Sequence, residues 1–251
     1  MSDHWPEGYD QIALAAVDST MDEAARRAAE LRRPTWIFAE RQSHSRGRRG
    51  RPWIAPRGAF AATLSLPNPG SALAAAQRSF VAALALRDMT AQLLAPVRIG
   101  LKWPNDVLID GRKFAGILLE TKSSGGPPSH VAVGIGLNMG QTPDPAALEP
   151  HAVPPIGMDE ALGKPFDAPQ TTVLAALATS YAHWEQVFVR DGFGPIRAAW
   201  LADAASLGRM ITARIGQTAT HGTFQSIDDT GALVLATPGG EKVISAAEIY
   251  L

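Results

Sequence analysis

Residues 131–139, VAVGIGLNM, constrain the fold more than any other stretch of this chain. Val131, Val133, Ile135, Leu137 and Met139 alternate with Ala132, Gly134 and Gly136, the two-residue period of a strand with distinct faces. Upstream, Val107 to Ile109 and Phe114 to Glu120 flank Asp110-Gly111, a dipeptide that closes two-residue hairpins. Val97, Ile99 and Leu101 alternate before them. Three consecutive antiparallel strands are therefore expected, with polar residues gathered at their ends. They follow a long helix, Ser71 to about Leu94, capped by Ser71 and placing Leu73, Phe80 and Leu84 on one face. Helices and antiparallel strands in one unit specify an α+β class.

The remaining elements follow in order. Gln11 to Val17 reads as a strand. Thr20 and Glu23 form a capping box for a helix over about Met21 to Leu31. Strands are expected at Thr35–Glu40 and Phe60–Leu66, a short helix around Met158 to Leu162, and a helix with Leu174, Leu177, Tyr181, Trp184 and Phe188 on one face that Gly192 stops. A further short helix carries Ile196 and Trp200. After Ser206-Leu207-Gly208 the pattern turns to short strands, 211–215, 218–227, 232–236 and 242–249, most simply a five-strand barrel.

Two polar clusters interrupt this framework. Ser45 to Trp53, SRGRRGRPW, alternates arginine with glycine. Glycine permits close backbone approach and arginine offers a planar fork for carboxylate or phosphate oxygens. By composition this loop stays mobile until an anion organises it. The second cluster is Lys102-Trp103-Pro104-Asn105-Asp106, followed by Lys113. Together they ask for an anionic ligand carrying a phosphate, yet neither a Walker sequence nor G-x-G-x-x-G is present.

Charge and cysteine content narrow the chemistry. A formal net charge of −1 over 251 residues gives no global basic field for DNA or a membrane surface. Zero cysteines remove disulfides, thiolate metal sites and a cysteine nucleophile. The six histidines lack metal-ligand spacing, so no protein metal site is expected, and no G-x-S-x-G supports a serine nucleophile. The start MSDHWPEGYD has no apolar signal core, and no run of about 18 apolar residues occurs. These features describe a soluble cytoplasmic protein.

The stretches AERQSHSRGRRGRPW, KWPNDVLIDGRKFAGILLE and VAVGIGLNM closely resemble the biotin–protein ligase family, and the resemblance covers nearly the whole chain. It implies a class II synthetase-like mixed sheet flanked by helices over residues 1–205 and a small SH3-like β-barrel over 206–251. It also implies a reaction. Biotin's carboxylate attacks the α-phosphate of ATP, and a lysine of the biotin carboxyl carrier protein then takes the biotinyl group. Mg²⁺ would be held by the phosphates, and no covalent enzyme intermediate is needed.

The resemblance assigns residues by position. Ser19, Thr20 and Gln42 would meet the biotin ring system. Arg46, Gly47 and Arg48 would lie over the carboxylate and adenylate phosphate, supported by Arg51. Lys113 would contact the carboxylate and acyl phosphate, and Gly116 would allow close approach. Lys102 would bind the α-phosphate, Asn105 and Asp106 would orient it or Mg²⁺, and Asn138 would face adenine. Lys102, Asp106, Lys113 and Arg48 form the implied catalytic set, while Trp53 and Trp103 are expected to pack. Met21 departs from the family's usual asparagine and Ser45 from its usual glycine. The expected partner is a carrier domain, with no nucleic acid or membrane and a monomeric or homodimeric enzyme. An ATP-dependent lipoate ligase and a non-catalytic adenylate-binding regulator are the alternatives that these residues leave open.

Overall fold

The computed structural model describes residues 5–51, 53, 58–123, 126–148 and 152–250. Strand β1 (Asp10–Leu14) leads into helix α1 (Thr20–Arg27), and the chain returns as β2 (Thr35–Ala39), parallel to β1. Ser19, not Thr20, caps α1: its backbone is extended and its hydroxyl accepts from Asp22 N. That frees the Thr20 hydroxyl to turn inward.

After the arginine loop come β3 (Phe60–Pro67) and α2 (Ala72–Leu94), capped by Ser71 as expected. Leu73 lies exposed in the first turn of α2 rather than on its buried face. Four antiparallel strands follow instead of three: β4 (Ile99–Lys102), β5 (Asp106–Ile109), β6 (Arg112–Lys122) and β7 (His130–Leu137). Asp110 and Gly111 both have positive φ, the geometry a two-residue hairpin between β5 and β6 requires. The seven strands order as β1-β2-β3-β7-β6-β5-β4, so the alternating β7 sits at the centre.

Alternation along β2 shows how the sheet divides the core. Trp36 and Phe38 join the main core on one side, Trp36 against Tyr181, while Ile37 packs on the opposite side with Met21, Ala24 and Ala132. On the α2 side, α3 (Met158–Leu162), α4 (Gln170–Asp191) and α5 (Phe193–Ala202) complete the cover. Helix α2, enclosed between sheet and α4, is buried around most of its circumference, hence its run of alanine and leucine. Among the described residues no helix is long and apolar enough to cross a membrane.

The C-terminal strands are β8 (Met210–Ile215), β9 (Thr218–Ile227), β10 (Leu233–Thr237), β11 (Gly240–Ile244) and β12 (Glu248–Tyr250). The expected single strand over 242–249 is in fact two, on opposite edges of the order β11-β10-β9-β8-β12. A flat five-strand sheet would set its edge strands about 19 Å apart. Residues 245–247 bridge at most about 14 Å, so the sheet must curl into a barrel.

The barrel is fastened to the larger unit by specific contacts. Trp103 Nε1 donates to Gly231 O at 3.0 Å and Gln77 Nε2 to Asp229 O at 2.9 Å. Gly231 has φ +87°, and a Cβ there would stand 2.6 Å from the Phe80 ring. Trp103 is thus a packing residue, as expected. This attachment sets β12 beside the arginine loop.

Candidate active site

A cavity of about 370 Å³ opens where β5, β6 and β7 end beneath the arginine loop. Ser19, Gln42, Arg46, Gly47, Arg48, Arg51, Lys102, Asn105, Asp106, Lys113, Gly116 and Asn138 all line it. Residues from four parts of the chain thus converge, because β4, β5 and β6 are adjacent and their registers align Lys102 with Asp106 and Asp106 with Gly116. Thr20 stands one remove behind the wall. Its N and Oγ1 donate to Gln42 Oε1 at 2.7 and 3.1 Å, and its hydroxyl accepts from Thr63 at 2.8 Å. Gln42 is therefore held with its amide NH₂ free for the cavity.

The inner end is a cation cluster around one carboxylate. Asp106 is buried, and Lys113 Nζ lies 2.7 Å from its Oδ1, an ion pair whose angle falls short of hydrogen-bond geometry. Lys102 Nζ lies 3.6 Å from Oδ2. Burial drives the Lys102 ammonium below the ordinary lysine range, with Asp106 opposing and Lys113 adding to the shift. Burial also lowers the Arg48 guanidinium, and neighbouring Arg49 reinforces it. Arg48 Nη1 donates to Asn105 Oδ1 at 3.3 Å, while Asn105 Nδ2 donates to Ile117 O at 2.8 Å. Lys102, Lys113 and Arg48 outnumber the single carboxylate, so an anion arriving here would relieve their mutual repulsion. Among the described residues no group of three or more His, Cys, Asp or Glu could hold a metal ion.

The loop carries anchors of its own, contrary to the expectation from its composition. Trp53 lies on the floor made by Gly116 and Gly136, where an added Cβ would stand 3.0 and 2.9 Å from its ring. Lys113 Nζ sits 5.4 Å from the same ring's centroid. Gly116 thus makes room for a tryptophan of the chain itself. Ser45 Oγ donates to Trp53 O at 2.9 Å, so this departure from glycine contributes a clasp across the loop. Arg49, at φ +58°, takes the left-handed conformation that lets successive arginines point in different directions.

The other three arginines are tied to carboxylates. Arg46 donates to both Glu120 oxygens at 3.1 and 3.0 Å and to Asp22 at 2.8 Å. Arg49 and Arg51 meet Glu248 Oε1 of β12 at 3.0 and 2.6 Å. Asn138, buried, directs its Nδ2 to Lys113 O and Ile156 O at 3.3 and 3.4 Å, leaving its Oδ1 as an acceptor. Sequence reasoning missed Glu248, Ile249 and Tyr250 in the wall, along with Gly134 and Pro155. Their stretch reads as an ordinary final strand. Met21 also lines the cavity, its sulfur packed so closely on Gly134 that a Cβ there would lie 2.5 Å away.

Residues 13–138 match the Biotin/lipoate A/B protein ligase family, and residues 206–251 match the Biotin protein ligase C terminal domain. The biotin–[acetyl-CoA-carboxylase] ligase of Paracoccus denitrificans is 49% identical, over 94% of this chain and 98% of that protein. The bifunctional ligase/repressor BirA of Bacillus subtilis is 30% identical, over 95% of this chain and 72% of that protein. In fold, the biotin protein ligase of Aquifex aeolicus in complex with biotin and ATP superposes with a TM-score of 0.80. Its identity is 24%, and the match covers 96% of this chain and 97% of that one.

Proposed function

The chain belongs to the biotin protein ligase family and biotinylates the carrier of a carboxylase at the expense of ATP, and we propose how its residues divide that reaction. The observation that carries the assignment is the convergence of Lys102, Lys113 and Arg48 on a cavity whose inner end holds one buried carboxylate.

In the first step an anionic carboxylate must approach an anionic α-phosphate, which only a preformed positive environment makes feasible. Lys113, partly exposed beside Trp53, meets the biotin carboxylate. Lys102, deeper, meets the α-phosphate. Asp106 holds both ammonium groups at a set spacing and opposes the loss of the Lys102 proton that burial favours. Arg48 spans from Asn105 toward the phosphate and retains the adenylate. Mg²⁺ would be held by the ATP phosphates rather than by protein carboxylates, and would supply charge neutralisation for the pyrophosphate. This fits an inner cluster whose one carboxylate already pairs with two lysines.

Gln42, held by Thr20, presents its amide donors to the biotin ring beside Ser19, and Asn138 Oδ1 accepts from adenine. In the second step the carrier lysine attacks the acyl carbon and AMP leaves. The arginine loop, seated by Trp53 on Gly116 and Gly136, keeps water from the mixed anhydride meanwhile. Residues 1–205 constitute the catalytic unit in this reading, and 206–251 the module that completes its wall. The protein acts in the cytoplasm as a monomer or homodimer, without a nucleic-acid partner. Pyrophosphate release on adding MgATP with biotin or with lipoate tests the assignment: release with biotin supports it, and release with lipoate alone overturns it.

A further inference from the structure

Three of the four loop arginines do not address the cavity's inner cations, and their anchors lie on either side of the loop. Arg46, at the entrance, is tied to Asp22 of α1 and Glu120 of β6. Arg49 and Arg51, at the exit, converge on a single oxygen of Glu248, whose other oxygen accepts from Tyr250 OH at 3.1 Å. Between the two ties Arg48 turns to Asn105. Glu248 belongs to β12, paired with β8 through Glu248 and Arg214. The barrel is itself fixed by Trp103, Gln77 and Arg197, the last reaching Ile227 O and Ser226. The exit tie therefore ends on a rigid wall rather than on another loop.

From this arrangement we infer that Glu248 is a positioning residue for ligation: it holds Arg49 and Arg51 outward so that Arg48 alone is directed onto the adenylate. Two guanidinium groups share one carboxylate, and Arg49 already disfavours the charge on Arg48. Without Glu248, Arg49 and Arg51 lose their counter-charge. The loop loses its exit tie, and Arg48 is no longer held over the phosphate. Because the arginines and Glu248 are partly exposed, the clasp is screened by salt and its effect is moderate. The inference rests on the ligase reading above, and it gives the small C-terminal module a part in retaining the intermediate.

The test uses the full chain, loaded with biotin and MgATP, and follows adenylate dissociation by stopped flow. Wild-type protein that forms no adenylate would refute the ligase reading itself, so the comparison begins from wild-type protein that does. Glu248→Gln should then release adenylate about 3- to 10-fold faster, while the rate of adenylate formation at saturating ATP stays within about 3-fold. Raising ionic strength should accelerate wild-type release more steeply than Glu248→Gln release, because the variant has already lost the screened clasp, a difference a merely structural glutamate would not produce. Arg49→Gln alters an exposed loop side chain and serves where Glu248→Gln folds poorly. It should reproduce the faster release, and the Arg49→Gln/Glu248→Gln double variant should add less than the sum. Unchanged release in Arg49→Gln, or fully additive effects with an intact salt response, would overturn the inference.

Discussion

Replacing Gly136 by alanine tests whether Trp53 is what seats the arginine loop. Gly136 lies on β7 under the Trp53 ring, and its new methyl would stand 2.9 Å from Trp53 Cε2 and 3.1 Å from Nε1. Carbon atoms rest at about 3.5–4.0 Å, so the ring must lift by roughly 0.6–1 Å, which forfeits about a quarter to a half of its contact energy on that face. Burying half of an aromatic side chain removes about 75–125 Å² from water, worth about 2–3 kcal/mol. The loss is then about 0.5–1.5 kcal/mol, or about a 2- to 12-fold faster escape of the adenylate. The strand itself gains backbone rigidity from alanine, so the melting temperature should hold or rise while retention falls. Stopped-flow release of biotinyl-adenylate, read beside a thermal melt, separates the two effects. On a Trp53→Ala background the substitution should do nothing further. Wild-type release from Gly136→Ala, or an equal effect with and without Trp53, would refute the reasoning.

Other perturbations reach different links of the account. Lys113→Ala should cost a charge-assisted contact, about 1.5–3 kcal/mol or roughly 10- to 150-fold, in biotin-dependent pyrophosphate exchange; near-normal exchange would remove Lys113 from its role. Lys102, depressed by burial, should lose its proton and its grip on the phosphate as pH rises, before an ordinary lysine would. Adenylate affinity should therefore fall on the alkaline side in wild type and hold to higher pH in Lys102→Arg; coincident profiles would contradict this. His130 is buried against Ser65 and its pKa is lowered from 6.5 by desolvation. The unfolded chain thus binds more protons below 6.5, and the stability His130 contributes is complete above 6.5 and lost as pH falls through its lower folded value. Thermal melts of His130→Gln should show less of this acid-side decline than wild type, and parallel declines would dismiss it. Gly231→Ala, strained at φ +87° and thrust on Phe80, should destabilise the protein by about 1–3 kcal/mol, seen as a lower denaturant midpoint.

What could be read from sequence follows the range of the interactions involved. The α2 cap at Ser71, the Asp110-Gly111 turn and the alternation along β7 are local, and all three formed as expected. Capping by Ser19 rather than Thr20 was not legible, because Thr20 is claimed by Gln42 and Thr63, distant in sequence. The division of 242–249 into β11 and β12 depends on curvature, which short alternating segments do not encode. In the site, the two polar clusters announced the cations, and the fold brings Lys102, Asp106 and Lys113 together as adjacent strands must. The anchors of the loop were hidden. Arg46 and Glu120 stand 74 positions apart, Arg49 and Glu248 stand 199 apart, and an arginine's spacing carries no mark of its carboxylate.

The central claim is that one cation-lined cavity activates biotin with ATP and hands it to a carrier lysine. Mass spectrometry of a purified carrier domain, incubated with the protein, MgATP and either biotin or lipoate, tests it most directly. One biotinyl group is expected on one carrier lysine, dependent on ATP and biotin together, and greatly slowed in Lys102→Ala and Lys113→Ala. A carrier that gains a lipoyl group and no biotinyl group, or biotinylation at full rate without Lys102 and Lys113, would contradict it.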